Sequence, residues 1–208
     1  MNRLTKILRR LGSDQNGLAA TEFGLLSIPF LVVVLGALDL GYQSYVRAQL
    51  QGVLNDVSRT ATVENPVFAG YEGMATEAQI EEAIRDRVDL IARNATYTIQ
   101  QTSFSQFSIV GDPEKLLTDI DLDGTYDASD GDCFEDANLN GTFDANSGSA
   151  GQGNANDVIF YEVTITMPRI VPVMGLLGVP SEYTINAQAA VRNQPYGAQP
   201  APVVVCGP

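Results

Sequence analysis

The strongest constraint on this chain is an apolar run close to its start. From Phe23 to Leu38 no residue is charged, and counting back to Leu18 gives 21 positions in which Glu22 is the single ionisable side chain. As a helix rising 1.5 Å per residue, such a run is about 30 Å long, the thickness of a bilayer's hydrocarbon core. Further along, the pattern changes. Val46, Leu50, Val53, Leu54, Val57 and Ala61 recur at helical spacing among polar residues, and Pro66 fits a stop. One long helix is therefore expected between Leu18 and Val63, apolar all round in its first half and amphipathic in its second, with Pro29 placed to kink it.

Charge gives the run a direction. Arg3, Lys6, Arg9 and Arg10 precede it against Asp14, a net +3 that leaves −16 for the remainder of a chain whose total is −13. A basic start before an apolar span places the N-terminus in the cytoplasm and exports the C-terminal part of the chain. The acidic bulk repels phosphate backbones, which argues against nucleic-acid binding, and it attracts divalent cations. The chain has no histidine, the usual acid-base group at neutral pH. A calcium-dependent hydrolase using an Asp pair would need a pocket-forming constellation that the sequence does not display, so no enzyme is expected. An ordinary secretory signal shares the basic start and apolar core, with Val34-Leu35-Gly36 as a weak cleavage site. A cut there would discard the anchor of a helix that continues beyond it.

Gly17 followed by Leu-Ala-Ala-Thr-Glu resembles the prepilin peptidase site of type IV pilin-like proteins. The wider stretch GLAATEFGLLSIPFLVVVLGALDLG is similar to the TadE-like pseudopilins of tight-adherence (Tad/Flp) pili, in its Glu22-Phe23 pair, Pro29 and Asp39. The resemblance covers about the first 45 residues. It implies cleavage between Gly17 and Leu18, so that residues 1–17 form a cytoplasmic leader, 18–39 a transmembrane helix and 40–66 its amphipathic continuation. It implies a minor pseudopilin of the bacterial inner membrane, single-pass, with the C-terminal domain periplasmic or carried into an extracellular pilus. The partners implied are prepilin peptidase, other pilin or pseudopilin subunits and the assembly platform. Cleavage would leave a new amino group on Leu18, costly if drawn unpaired into lipid or a packed filament. The resemblance implies that Glu22 neutralises such an amine on a neighbouring subunit. The plain alternative is a glutamate reaching for the headgroups. The competing function is a secreted or surface calcium-binding adhesion protein with a cleaved signal, whose mature N-terminus would lie near Ala37 instead of Leu18.

Residues 67–193 read as an exported pilin-like α+β domain: the long helix packed on a small antiparallel sheet, with an irregular calcium-binding insertion at 111–157. Thr76-Glu77-Ala78-Gln79 reads as a capping box opening a second helix, with Ile80, Ile84, Val88 and Ile91 on one face and Asn94 at its end. Residues 96–110 read as one or two strands. In VIFYEVTITM the residues Ile159, Tyr161, Val163, Ile165 and Met167 share a face. In EYTINAQAAVR the matching set is Tyr183, Ile185, Ala187, Ala189 and Val191, so the two strands are expected to pair antiparallel. The uncharged stretch IVPVMGLLGVP, residues 170–180, is too short to span a bilayer; it reads as a loop over the core or as a contact for the membrane surface or an adjoining subunit. The tail, residues 194–208, has the Pro and Gly content of a segment without regular structure.

Lys and Arg are absent from Leu116 to Pro168, where eleven Asp and Glu residues fall. In DIDLDGTYDASD, Asp119, Asp121, Asp123, Asp127 and Asp130 occupy positions 1, 3, 5, 9 and 12 of a twelve-residue loop, with Gly124 at position 6 and Thr125 offering its carbonyl at 7. Calcium takes six to eight oxygens, which alternate side chains deliver when a glycine lets the backbone turn sharply. An aspartate at position 12 departs from the EF-hand glutamate and looks more like dockerin-type loops. DANLNGTFDANS repeats the pattern with Asp136, Asn138, Asn140, Thr142 and Asp144, but Ser147 stands where the last carboxylate belongs. Fewer charges imply weaker binding. Its alternative is a metal-free Asn-Gly turn, unless Asp132 or Glu135 lends an oxygen. Calcium is thus the expected cofactor, ordering an otherwise overlong loop. Cys133 and Cys206 are the only cysteines and lie on the exported side; a disulfide between them and two free thiols both remain open.

Overall fold

The computed structural model describes residues 16–171, 175 and 178–208. Most of the leader, and 172–174 and 176–177 of the uncharged stretch, therefore lie outside the described residues. The chain forms two compact units, Met1–Ser44 with Arg169–Ser181, and Tyr45–Pro168 with Glu182–Pro208.

Helix α1, Asn16–Thr60, supplies residues to both units. It stops three residues before the expected Val63. Thr62 turns back to Arg59, its N–H and hydroxyl both donating to the Arg59 carbonyl at 3.4 and 2.9 Å, which satisfies an end-of-helix acceptor. In the second unit, Val46, Leu50, Leu54 and Val57 of α1 are fully buried. Spacings of four, four and three keep them on one stripe. Helix α2, Thr76–Asp89, buries Ile80, Ala83, Ile84 and Val88 in the same core. The expected capping box does not form. Ala75 is the N-cap and no side chain caps the helix, because Gln79 is engaged in the preceding turn, accepting from Phe68 N–H (3.4 Å) and donating to the Met74 carbonyl (2.9 Å).

These helices cover a four-stranded antiparallel sheet formed by β1 (Thr96–Phe104), β4 (Ser149–Ala150), β5 (Val158–Pro168) and β6 (Glu182–Arg192), in the order β4-β1-β5-β6. The register sets Ile165 opposite Ile185 and Val163 opposite Ala187, so the alternating apolar faces of β5 and β6 coincide. Ile159, Tyr161, Val163, Ile165, Met167, Tyr183 and Ile185 are all buried. Side chains pin each helix to the sheet: Gln51 of α1 donates to the Gln188 carbonyl (2.9 Å), and Gln101 of β1 to the Glu77 carbonyl (3.1 Å). The class is α+β, as the sequence pattern implies.

The acidic segment and the tail differ from expectation. They build a second antiparallel sheet, β2 (Lys115–Thr118), β3 (Cys133–Asp136) and β7 (Val203–Cys206), in the order β2-β3-β7. The tail becomes a strand because its three consecutive valines suit a pleated ladder and β3 offers a free edge. Cys133 and Cys206 sit directly opposite each other in that ladder and are joined by a disulfide.

Candidate functional site

The first unit presents the apolar half of α1. Gly17 and Glu22 are exposed on its opening turns. Beyond them Phe23, Leu25, Leu26, Ile28, Phe30 and Val33 are each about two-thirds exposed or more, on every side of the helix. It is one helix long and apolar enough to cross a membrane, and only 11% of its most apolar stretch is buried. A helix with that surface fits a single-pass membrane anchor. At the end of the run Asp39 is 1% exposed and paired with the guanidinium of Arg169. The sequence marks Asp39 but gives no sign of its partner, 130 residues away.

The second unit holds the two acidic loops, and their backbones repeat each other. In loop 1 the Asp119 carboxylate accepts from Leu122 N–H (2.7 Å) and Gly124 N–H (2.9 Å); in loop 2 Asp136 accepts from Asn140 N–H (3.1 Å) and Gly141 N–H (2.8 Å). Position 3 then accepts from the N–H of position 5 in each loop, and position 5 accepts from both the N–H and the hydroxyl of the threonine at position 7. Gly124 and Gly141 adopt φ of 81° and 78°, and Leu122 and Leu139, two residues earlier, adopt 63° and 61°. Such left-handed residues turn the chain so that alternate side chains point inward. The position-8 aromatics Tyr126 and Phe143 stack at 4.8 Å, with Phe134 of β3 edge-on to both.

Each loop is also braced by one buried carboxylate. Asp132 accepts from Ile120 N–H (2.9 Å) and Asp127 N–H (3.0 Å), positions 2 and 9 of loop 1. Glu114 accepts from Ala137 N–H (2.8 Å) and Asp144 N–H (3.1 Å), the same positions of loop 2. The sequence offers Asp132 or Glu135 as oxygen donors to loop 2. Asp132 is committed to loop 1, and Glu114 holds the corresponding place in loop 2. Ser147 is buried and donates to the Ile109 carbonyl (3.2 Å).

The loops part company in their electrostatics. Carboxylate oxygens of Asp119, Asp121 and Asp123 lie within 4.8 Å of one another. The Asp123 N–H favours ionised Asp121, yet desolvation, the charges of Asp123 and Asp130 and a hydrogen bond with Asp119 outweigh it and raise the Asp121 pKa. Asp123 is lowered by the Thr125 hydroxyl and N–H, and Asp127 by the Ser129 N–H and hydroxyl. Loop 1 therefore gathers five carboxylates, Asp119, Asp121, Asp123, Asp127 and Asp130, with no cationic side chain among its twelve residues. In loop 2 the amides of Asn138 (2.8 Å) and Asn140 (2.5 Å) donate to Asp144, partly answering its charge from within. Burial raises the Glu114 carboxyl against its backbone N–H donors.

An exposed apolar helix joined to an acidic α+β domain is the form of a membrane-anchored protein with a folded head. Residues 17–59 match the family model of TadE-like proteins, so that the match begins at Gly17 and ends one residue before α1 does. The likeness is to TadE-like proteins and is confined to this segment. No curated protein and no solved structure matches the chain.

Proposed function

We propose that this protein is a minor pseudopilin of a Tad-type pilus: a structural subunit cut after Gly17 by prepilin peptidase, held in the inner membrane by α1 with its head exported, and ordered by calcium. The observation that carries the reading is that the TadE-like match runs along nearly the whole of α1, whose first half stands with its apolar side chains exposed all round. Such a surface is stable in lipid or against equivalent helices of neighbouring subunits, the two surroundings of a pilin stem.

After cleavage the Leu18 amine would need a counter-charge, and Glu22, one helical turn along, supplies a carboxylate to it or to a neighbour's amine. Substituting Glu22→Ala is expected to leave membrane insertion intact and to reduce incorporation into pili at least tenfold, read by immunoblotting of sheared filaments. Unchanged incorporation rejects the role.

The donor set of loop 1 fits calcium: hard oxygen ligands only, three carboxylates already gathered, and a backbone turned by Gly124. Asp119, Asp121, Asp123, the Thr125 carbonyl, Asp127 and Asp130 would hold the ion in loop 1. Asp136, Asn138, Asn140, the Thr142 carbonyl and Asp144 would do so more weakly in loop 2, once the two amides present oxygen instead of nitrogen. The ion supplies charge neutralisation there and ties the loops into one rigid element.

A further inference from the structure

We propose that the outer edge of β6 is an interface with a second copy of this chain, β6 pairing antiparallel with its own counterpart about Ala187. β6 is the last strand of the β4-β1-β5-β6 sheet and runs for eleven residues, Glu182–Arg192, in unbroken register with β5. The bonds at either end of that ladder fix which groups it leaves over. Arg169 N–H donates to the Ser181 carbonyl (3.0 Å) and Asn193 N–H to the Asp157 carbonyl (2.8 Å), so the odd-numbered residues turn their N–H and C=O groups toward β5. Those of Glu182, Thr184, Asn186, Gln188, Ala190 and Arg192 therefore point outward. Among the described residues one side chain meets them: the Gln51 amide of α1 donates to the Gln188 carbonyl (2.9 Å). The strand contains no proline, glycine or lysine and no bulge, the devices that usually blunt an edge.

The sequence of β6 says what fits against it. Glu182 and Arg192 are its only charged residues, and they stand equally far from Ala187 at opposite ends. Two copies of EYTINAQAAVR laid antiparallel about Ala187 thus set each Glu182 opposite the partner's Arg192. Both residues are exposed, and among the described residues neither takes part in an ion pair. The same register sets Thr184 opposite Ala190 and Asn186 opposite Gln188, so that outward-facing residues meet one another and exchange N–H···O bonds. The Gln188 carbonyl has a second lone pair and keeps its Gln51 donor. The faces agree as well. Tyr183, Ile185 and Ala187, buried beneath the helices, come opposite Val191, Ala189 and Ala187 of the other copy on the same side of the joined sheet. A slip of one residue would mix the faces, and a slip of two would part both charge pairs. The two-fold axis is normal to the sheet, so the Tyr45–Thr60 halves of α1 that cover it run in opposite directions in the two copies. The contact is therefore one between heads that meet from opposite sides.

Sedimentation equilibrium of the full chain in non-ionic micelles is expected to show a monomer–dimer equilibrium. Glu182→Arg and Arg192→Glu, both at exposed positions, each set like charges across the two ends and should weaken the dimer about tenfold, while the double exchange restores it. The two native cysteines are tied to each other, so introduced thiols report the register. Thr184→Cys combined with Ala190→Cys is expected to link two copies covalently on mild oxidation, and either substitution alone is not. A chain that stays monomeric at about 100 µM overturns the proposal. So does a dimer that neither charge reversal weakens, since it is then joined elsewhere, as by the apolar halves of α1.

Discussion

The two halves of α1 are both rich in apolar residues, yet they meet different surroundings. In Tyr45–Thr60 the apolar side chains form one stripe, and Val46, Leu50, Leu54 and Val57 are completely buried within the chain's own core. In Asn16–Ser44 they occupy every side, and Phe23 at 74% and Val33 at 70% exposure touch little of the chain. Hydrophobicity alone does not say what a helix packs against. Periodicity does: a stripe can be buried by one domain, whereas an all-round apolar surface needs lipid or a bundle of like helices. The acidic loops differ in the same way. They share most of their backbone hydrogen bonds, and what separates them is chiefly which side chains carry charge.

The sharpest way to break the first contrast is to delete the same atoms from each half. Leu54→Ala is expected to destabilise the α+β domain by about 3 kcal/mol, as removal of a fully buried leucine does, in denaturant unfolding of the full chain in micelles. Leu31→Ala, in the exposed half, should change that stability by less than about 0.5 kcal/mol. Equal losses would mean that the two halves share one core.

The loop contrast calls for a charge exchange. Asp123→Asn is expected to weaken calcium binding at loop 1 about tenfold, and Asn140→Asp to strengthen loop 2 by a similar factor, close to 1.4 kcal/mol each way by calorimetric titration. Absence of calcium uptake by the unsubstituted protein would remove the ion from the account and leave the loops as hydrogen-bonded turns.

The smallest effect is one of pH, on the face of the sheet away from the helices. Glu162 accepts from Asn186 (3.0 Å) and Gln188 (2.9 Å), whose amides hold its carboxyl below the ordinary value. A carboxylate lowered in the folded state adds stability above its unfolded pKa of about 4.3 and loses it as pH falls through the folded value. Solvent screening keeps this below about 0.5 kcal/mol. Glu162→Ala should therefore be slightly less stable than the unsubstituted protein at pH 7, with the difference closing by pH 3 in thermal unfolding.

Much of the fold was legible because some elements carry complete periodic patterns. β5 alternates from Tyr161 to Met167 and β6 from Tyr183 to Ala187, so their pairing followed from the sequence, and the stripe of α1 was equally plain. What escaped depends on distant partners. β7 is four residues long in a Pro-rich tail and is a strand only because β3 offers an edge and Cys133 a bond. Glu114 precedes the first loop and braces the second, which no local spacing announces. The Arg169 partner of Asp39 lies 130 residues away. At Thr76 the local capping pattern was present, but Gln79 had better partners in the preceding turn.

The central claim, that the exposed half of α1 is a processed pilin stem, is tested most directly by the N-terminus of the protein recovered from native membranes. Peptide mass spectrometry is expected to find a chain beginning at Leu18, and only the uncut chain where prepilin peptidase is deleted. A mature N-terminus near Ala37, or an intact leader in cells with active peptidase, would contradict it.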